Sequence, residues 1–179
     1  MSSHRPTLDE LLERNKIVAQ THKAPPNNIG SLPKEARPAP EILVVTCADA
    51  RCEPAYFFAT RPGEMVILRN LGGRVEASMP DILTLDVLMG FKHIYVIHHT
   101  DCGSTWASED TVRQELKKVP GTDPRAIDAL PLAIFIDDEE SVRDDVAFLR
   151  NSPLLRKDLA DSIHGFSLDI ATGLLKTIV

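Results

Sequence analysis

Val44-Val45-Thr46-Cys47-Ala48-Asp49-Ala50-Arg51 is the stretch from which the fold can be read. The residues that lead into it, Ile42 to Val45, form an unbroken apolar run, the pattern of a strand buried on both faces in a parallel sheet. The run stops at a cysteine, and an acid and a base follow at alternate positions. Open α/β sheets place their ligands beyond the carboxyl ends of the strands. A thiol, a carboxylate and a guanidinium grouped there mark part of a site, and the rest of the chain should supply its other members.

Two further runs repeat the pattern. Met65 to Leu68 predicts a second buried strand, which enters the loop Arg69-Asn70-Leu71-Gly72-Gly73. That loop has glycine at its bend, but no Lys-Ser/Thr follows it and there is no GxGxxG, so a nucleotide is poorly supported. Ile82, Leu85, Val87, Leu88 and Met89 predict a buried helix from about Ser78 to Gly90, with Pro80 in its first turn. A third strand, His93 to His98, empties into His98-His99-Thr100-Asp101-Cys102-Gly103-Ser104. Strand, helix and strand in this order predict a right-handed crossover that brings the ends of the first and third strands to one edge of the sheet. Shorter helices are expected from Pro54, over Glu109 to Lys118 and over Glu139 to Leu149. The tail alternates apolar and polar residues from Ile163 to Ile170, turns at Ala171-Thr172-Gly173 and ends in a strand from Leu174 to Ile178. The fold class is therefore α/β, a mostly parallel central sheet flanked by helices with a C-terminal antiparallel edge hairpin.

At 179 residues the chain fits a single domain spanning residues 1–179, with residues 1–40 an N-terminal helical arm and loop. Thr7 and Glu10 have capping-box spacing, and Leu8, Leu11, Leu12, Ile17 and Val18 give the arm an apolar stripe for its own core or for a second subunit. Residues 25–40 hold five of the thirteen prolines and read as a connection. A net charge of -6 disfavours nucleic acid as the main partner. No apolar run is long enough for a membrane span, and Met1 to Pro6 lacks the apolar core of a secretory signal, so a cytoplasmic location is expected. Three cysteines, an odd number, suit reduced thiols or metal ligands better than a disulfide framework.

His99 and Cys102 have two residues between them, directly after a strand, and Cys47 stands at the equivalent edge of the same sheet. Together they offer two thiolates and one imidazole. Zinc is usually four-coordinate, so three protein ligands leave one position for water, the pattern of a catalytic site. Cys52 reads as a small packed residue. Taken singly, each of these residues has an ordinary structural role. Their coincidence at strand ends is what points to a metal.

At these positions the sequence resembles the β-class carbonic anhydrases, in their compact form, which includes the related carbonyl sulfide hydrolases. Cys47-Ala48-Asp49-Ala50-Arg51 is similar to that family's C-x-D-x-R signature, and His99-Thr100-Asp101-Cys102-Gly103 to its H-x-x-C-G signature. Arg69-Asn70-Leu71-Gly72 resembles the loop between them, and the likeness continues through Ser152-Pro153-Leu154-Leu155 and Asp169-Ile170-Ala171-Thr172-Gly173-Leu174. The resemblance implies zinc on Cys47, His99 and Cys102, with Asp49 and Arg51 as a catalytic hydrogen-bonded dyad, and a homodimer or dimer of dimers in which the N-terminal helix reaches across. The implied reaction is hydration of carbon dioxide to bicarbonate by zinc-activated hydroxide. Hydrolysis of carbonyl sulfide to hydrogen sulfide and carbon dioxide is the close alternative, and a non-catalytic zinc domain the remote one. His98 is the nearest proton shuttle by sequence, but strand alternation turns it away from His99. Asp101 is expected to cap a helix that begins after Cys102.

Overall fold

The computed structural model describes residues 4–23 and 39–179. The chain divides into two compact units, Met1–Pro38 and Ala39–Val179. In the first, helix α1 spans Leu8–Ala19 and opens with the expected capping box: Thr7 Oγ1 accepts from the Glu10 N–H, and the Glu10 carboxylate accepts from the Thr7 N–H. None of its residues is buried. The proline-rich connection read from the sequence falls outside the described residues, apart from its last two positions.

The second unit is built on five strands: β1 (Ile42–Cys47), β2 (Val66–Asn70), β3 (His93–His99), β4 (Ile163–Leu168) and β5 (Leu175–Thr177). Their spatial order is β2-β1-β3-β4-β5, and all neighbours are parallel except the antiparallel pair β4–β5 at the edge. The chain leaves β1 for β2 on one side, then crosses to β3 on the other. The strand connections therefore diverge between β1 and β3, and a crevice opens at the carboxyl ends of strands at such a point. Thr46 is opposite Ile97, so the carboxyl tips of β1 and β3 lie side by side.

Helices α2 (Pro54–Phe57), α3 (Val75–Met89), α4 (Glu109–Lys117), α5 (Pro124–Asp128), α6 (Asp138–Arg150) and α7 (Lys157–Ala160) complete the unit. One face of the sheet packs Leu43, Val45, Ile94, Val96 and Ile163 against Val75, Met79 and Ile82 of α3 and Val142, Val146 and Leu149 of α6. Each large aliphatic side chain fully buried there contributes about 1.5–3 kcal/mol relative to exposure. Gly165 lets α6 come close: a Cβ at that position would lie 2.5 Å from Val142 Cγ1. The acidic start of α6, Asp138-Glu139-Glu140 behind an Asp137 side-chain cap, complements the helix dipole.

Two expectations need correction. Helix α3 begins at Val75 rather than near Ser78, so Pro80 lies inside the helix and not in its first turn. The helix start is fixed by a long-range contact that local sequence does not reveal: the Val75 N–H donates to the Asp145 carboxylate of α6 at 3.2 Å. The second strand likewise runs on to Asn70, because β1 offers it partners as far as Cys47. Helix α5, started by Pro124 behind the Asp123 cap, has no counterpart among the helices expected above.

Candidate metal centre

The site gathers two strand tips and one loop. At the first tip the chain turns sharply after Cys47: Ala48 N–H donates to the Asn70 carbonyl at 2.7 Å and Cys52 N–H to the Asp49 carbonyl at 2.9 Å. Arg69, at the end of β2, donates to the carbonyls of Cys47 (3.1 Å) and Asp49 (2.7 Å) and pairs with Glu53, so the turn is latched from behind. Gly72 and Gly73 both have left-handed φ, 72° and 74°. A Cβ on Gly73 would stand 2.9 Å from Thr46 C, so only glycine lets this loop lie on the Cys47 backbone. The loop weighed above for a nucleotide is thus a brace for a cysteine.

At the second tip His99 is fully buried. Its Nδ1 lies 2.9 Å from the Thr100 carbonyl, which makes Nδ1 the protonated nitrogen and leaves Nε2 with a free lone pair. That Nε2 has no hydrogen-bond partner among the described residues. Thr100 is itself fixed by β4 and the segment after it, through its N–H to Leu168 and its hydroxyl from Ile170. Cys102 follows on the same turn. Its sulfur is 3.8 Å from that of Cys47, and the donor atoms of Cys47, His99 and Cys102 all lie within 4.8 Å of one another.

These residues fit a zinc ion. Two sulfurs bound at about 2.3 Å in a tetrahedral arrangement are separated by about 3.8 Å, the distance between the two thiols. An orphaned, buried imidazole nitrogen facing a thiol pair is the donor set such an ion would satisfy. The two thiols are electrostatically unlike, and Cys47 is the one held toward the thiolate. The Cys102 hydrogen bond, then His99 and the backbone N–H groups of Asp49 and Gly72, outweigh burial and bring Cys47 down to about 4. Cys102 is pushed up, first by the Cys47 sulfur and then by burial. Burial lowers His99, but the Cys47 sulfur and the Thr100 carbonyl outweigh it and the net shift is upward.

Asp49 and Arg51 lie beside this set. Arg51 Nε and Nη2 donate to Asp49 Oδ1 and Oδ2 at 3.0 and 2.7 Å, a two-pronged pair that brings Asp49 down to about 2. Asp49 Oδ2 is 4.0 Å from His99 Nε2. All five residues singled out in the sequence therefore meet at one place. Cys52 does not join them; it is buried with its sulfur 3.1 Å from Thr46 Oγ1. His98 points to the opposite side, with Nδ1 2.6 Å from Ser141 Oγ and its ring stacked on Phe135 at 5.4 Å. Asp101 differs from expectation. It caps nothing: its carboxylate pairs with Arg51 across fifty residues of sequence, a contact for which the local sequence has no signal.

The family model for carbonic anhydrase matches residues 42–175. Over 172 residues the chain is 28% identical to β-carbonic anhydrase 1 of Mycobacterium tuberculosis, covering 95% of this chain and 96% of that protein. A carbon disulfide hydrolase of Acidithiobacillus thiooxidans is 28% identical over 153 residues, 75% of each chain. The crystal structure of a Streptococcus mutans carbonic anhydrase superposes with a TM-score of 0.81 at 30% identity, covering 98% of this chain and 99% of that one. With the sheet order, the two-thiol, one-imidazole cluster and the carboxylate–guanidinium pair already in place, these likenesses lead to one conclusion: the chain belongs to the β-carbonic anhydrase family.

Proposed function

We propose that this chain hydrates carbon dioxide to bicarbonate at a zinc ion held by Cys47, His99 and Cys102. The observation that carries the reading is the buried, unpartnered His99 Nε2 grouped with two sulfurs 3.8 Å apart, with the Asp49 carboxylate close by. Bound there, zinc would act as a Lewis acid that lowers the pKa of a coordinated water to about 7.

The chain's own residues supply the rest. Cys47 and Cys102 bring negative charge, which makes the site a weaker Lewis acid than three imidazoles would and puts more of the work on orientation. Asp49 accepts a hydrogen bond from the attacking water and so turns its lone pair toward the substrate carbon. Arg51 keeps Asp49 ionised and holds it in place. Released from Arg51, Asp49 would be free to turn toward the three donors, which would shut the site.

A second reading has one observation in its favour: a carbon disulfide hydrolase is also 28% identical to the chain, over 75% of its length against 95% for the β-carbonic anhydrase. On carbonyl sulfide the same attack gives thiocarbonate, which decomposes to carbon dioxide and hydrogen sulfide. A non-catalytic zinc domain would have no use for the Asp49–Arg51 pair. The deciding experiment assays one zinc-loaded preparation with both substrates. Rapid carbon dioxide hydration with little hydrogen sulfide supports the proposal; rapid hydrogen sulfide release with negligible hydration moves the chain to the second reading.

The same proposal treats residues 1–179 as one domain with residues 1–40 as an arm, in a cytoplasmic homodimer or dimer of dimers. Among the described residues no helix is long and apolar enough to cross a membrane. Helix α1 exposes Leu8, Leu11, Leu12, Ile17 and Val18, which supports a seat for the arm on a second subunit. Sedimentation of the full chain tests the assembly.

A further inference from the structure

Arg51 is held from two directions, and only one of them belongs to the pair read from the sequence. Its Nε and Nη2 hold Asp49, while Nη1 donates to Asp101 Oδ2 at 2.7 Å and Nη2 to the Asp101 carbonyl at 2.9 Å. Side chain and main chain of one residue thus grip the outer edge of the guanidinium whose inner edge holds Asp49. Asp101 adopts a left-handed backbone, φ 54°, which among the described residues only Ala59 shares outside glycine. Aspartate tolerates this conformation better than most side chains, and here it aims carbonyl and carboxylate at one partner. Asp101 also lies between His99 and Cys102, so the contact ties the second donor segment to the first.

We infer that Asp101 is a positioning residue for the hydration reaction: by clamping Arg51 it holds Asp49 toward the attacking water and away from the metal donors. The inference rests on the proposed reaction and adds to it a residue that acts only through Arg51. The Asp101 side chain is 65% exposed, so its ion pair is partly screened and the effect is modest beside that of the Asp49–Arg51 pair itself. The carbonyl contact persists under any side chain that keeps the left-handed turn.

Two variants test this. Asp101→Gly keeps the turn and removes the carboxylate; Asp101→Asn keeps the shape and removes the charge. Each is compared with the unmodified chain for zinc content, for kcat and KM in carbon dioxide hydration and, without substrate, for rotation of the Arg51 guanidinium about Nε–Cζ followed by nitrogen NMR. The expected result is full zinc content, kcat lowered by about three- to tenfold with KM nearly unchanged, and faster guanidinium rotation. In an Arg51→Lys background the Asp101 substitutions should cost nothing further, because a residue that acts through Arg51 has nothing left to act on. Unaltered kcat and unaltered rotation in both variants would overturn the inference, as would a loss that adds in full to that of Arg51→Lys. Absence of hydration in the unmodified, zinc-loaded chain would instead reject the proposed reaction and the catalytic role of Asp101 with it, while the rotation measurement would still decide whether Asp101 holds Arg51.

Discussion

His98 and His99 are consecutive on β3 and both fully buried, yet their surroundings make them opposite kinds of residue. The ring of His98 is stacked on Phe135, its Nδ1 is bonded to Ser141, and its Nε2 is 3.2 Å from the Asp145 carboxylate. Asp145 in turn pairs with Arg74 at 3.0 Å and accepts the first N–H of α3. His99 has a carbonyl on one nitrogen and two sulfurs near the other. Neither Nε2 makes a hydrogen bond among the described residues, but that of His98 faces a carboxylate on the side where the polar groups gather around Asp145. On the other side they converge and stop, leaving a lone pair and two thiols directed at a common point. The lesson is that a buried histidine declares its role through what its second nitrogen meets, and the two sides of one strand can be given separate tasks.

Substitution of either histidine should separate those tasks. His99→Ala has the largest expected effect: zinc is lost on dialysis and hydration with it, while a guanidinium or urea transition shows the destabilisation that loss of a structural ligand brings. Retention of stoichiometric zinc by elemental analysis would remove His99 from the ligand set. On the opposite side, Asp145→Ala should leave zinc bound but strip Arg74, His98 and the Val75 N–H of their shared partner. The expected cost is about 3–5 kcal/mol of stability, read as a lower urea midpoint. A zinc loss as complete as that of His99→Ala would mean that the two sides are not separate.

Gly73→Ala probes the join between them. It forces a side chain into left-handed backbone and against Thr46 and Cys47, so an expected loss of about 1–3 kcal/mol should come with weakened zinc affinity, measured by competition with a chelator. The smallest effect belongs to the sheet surface far from the site. Burial, with His93 and Arg150 nearby, lowers the pKa of His164. A histidine harder to protonate when folded supports stability above its unfolded pKa of about 6.5, and that support is lost as pH falls through the lower folded value. His164→Gln should therefore flatten the fall in melting temperature between pH 7 and pH 5 without altering zinc content; an unchanged slope would contradict the assignment.

Much of this was legible from the residues alone because the same signals served twice. The apolar runs at Ile42, Met65 and His93 defined parallel strands, and the first and third of them end at two of the donors, Cys47 and His99. The capping signal at Thr7 sits next to its helix in sequence, so it too could be read. What stayed hidden depends on partners far away along the chain. The start of α3 is set by Asp145, seventy residues on, and the second partner of Arg51 is Asp101, fifty residues on. Strand alternation would also have set Cys47 beside His98 rather than His99, since Thr46 pairs with Ile97. The turn after Cys47, latched by Arg69 and braced by Gly73, lets the cysteine escape that rule at the strand's last residue.

The most direct test of the central claim is a zinc K-edge absorption spectrum of the zinc-loaded chain. Two sulfurs near 2.3 Å and a single imidazole are expected among the ligands, with the imidazole retained in His98→Phe and lost in His99→Ala. A spectrum without the sulfur pair, or one whose imidazole signal vanishes with His98 instead of His99, would contradict that claim.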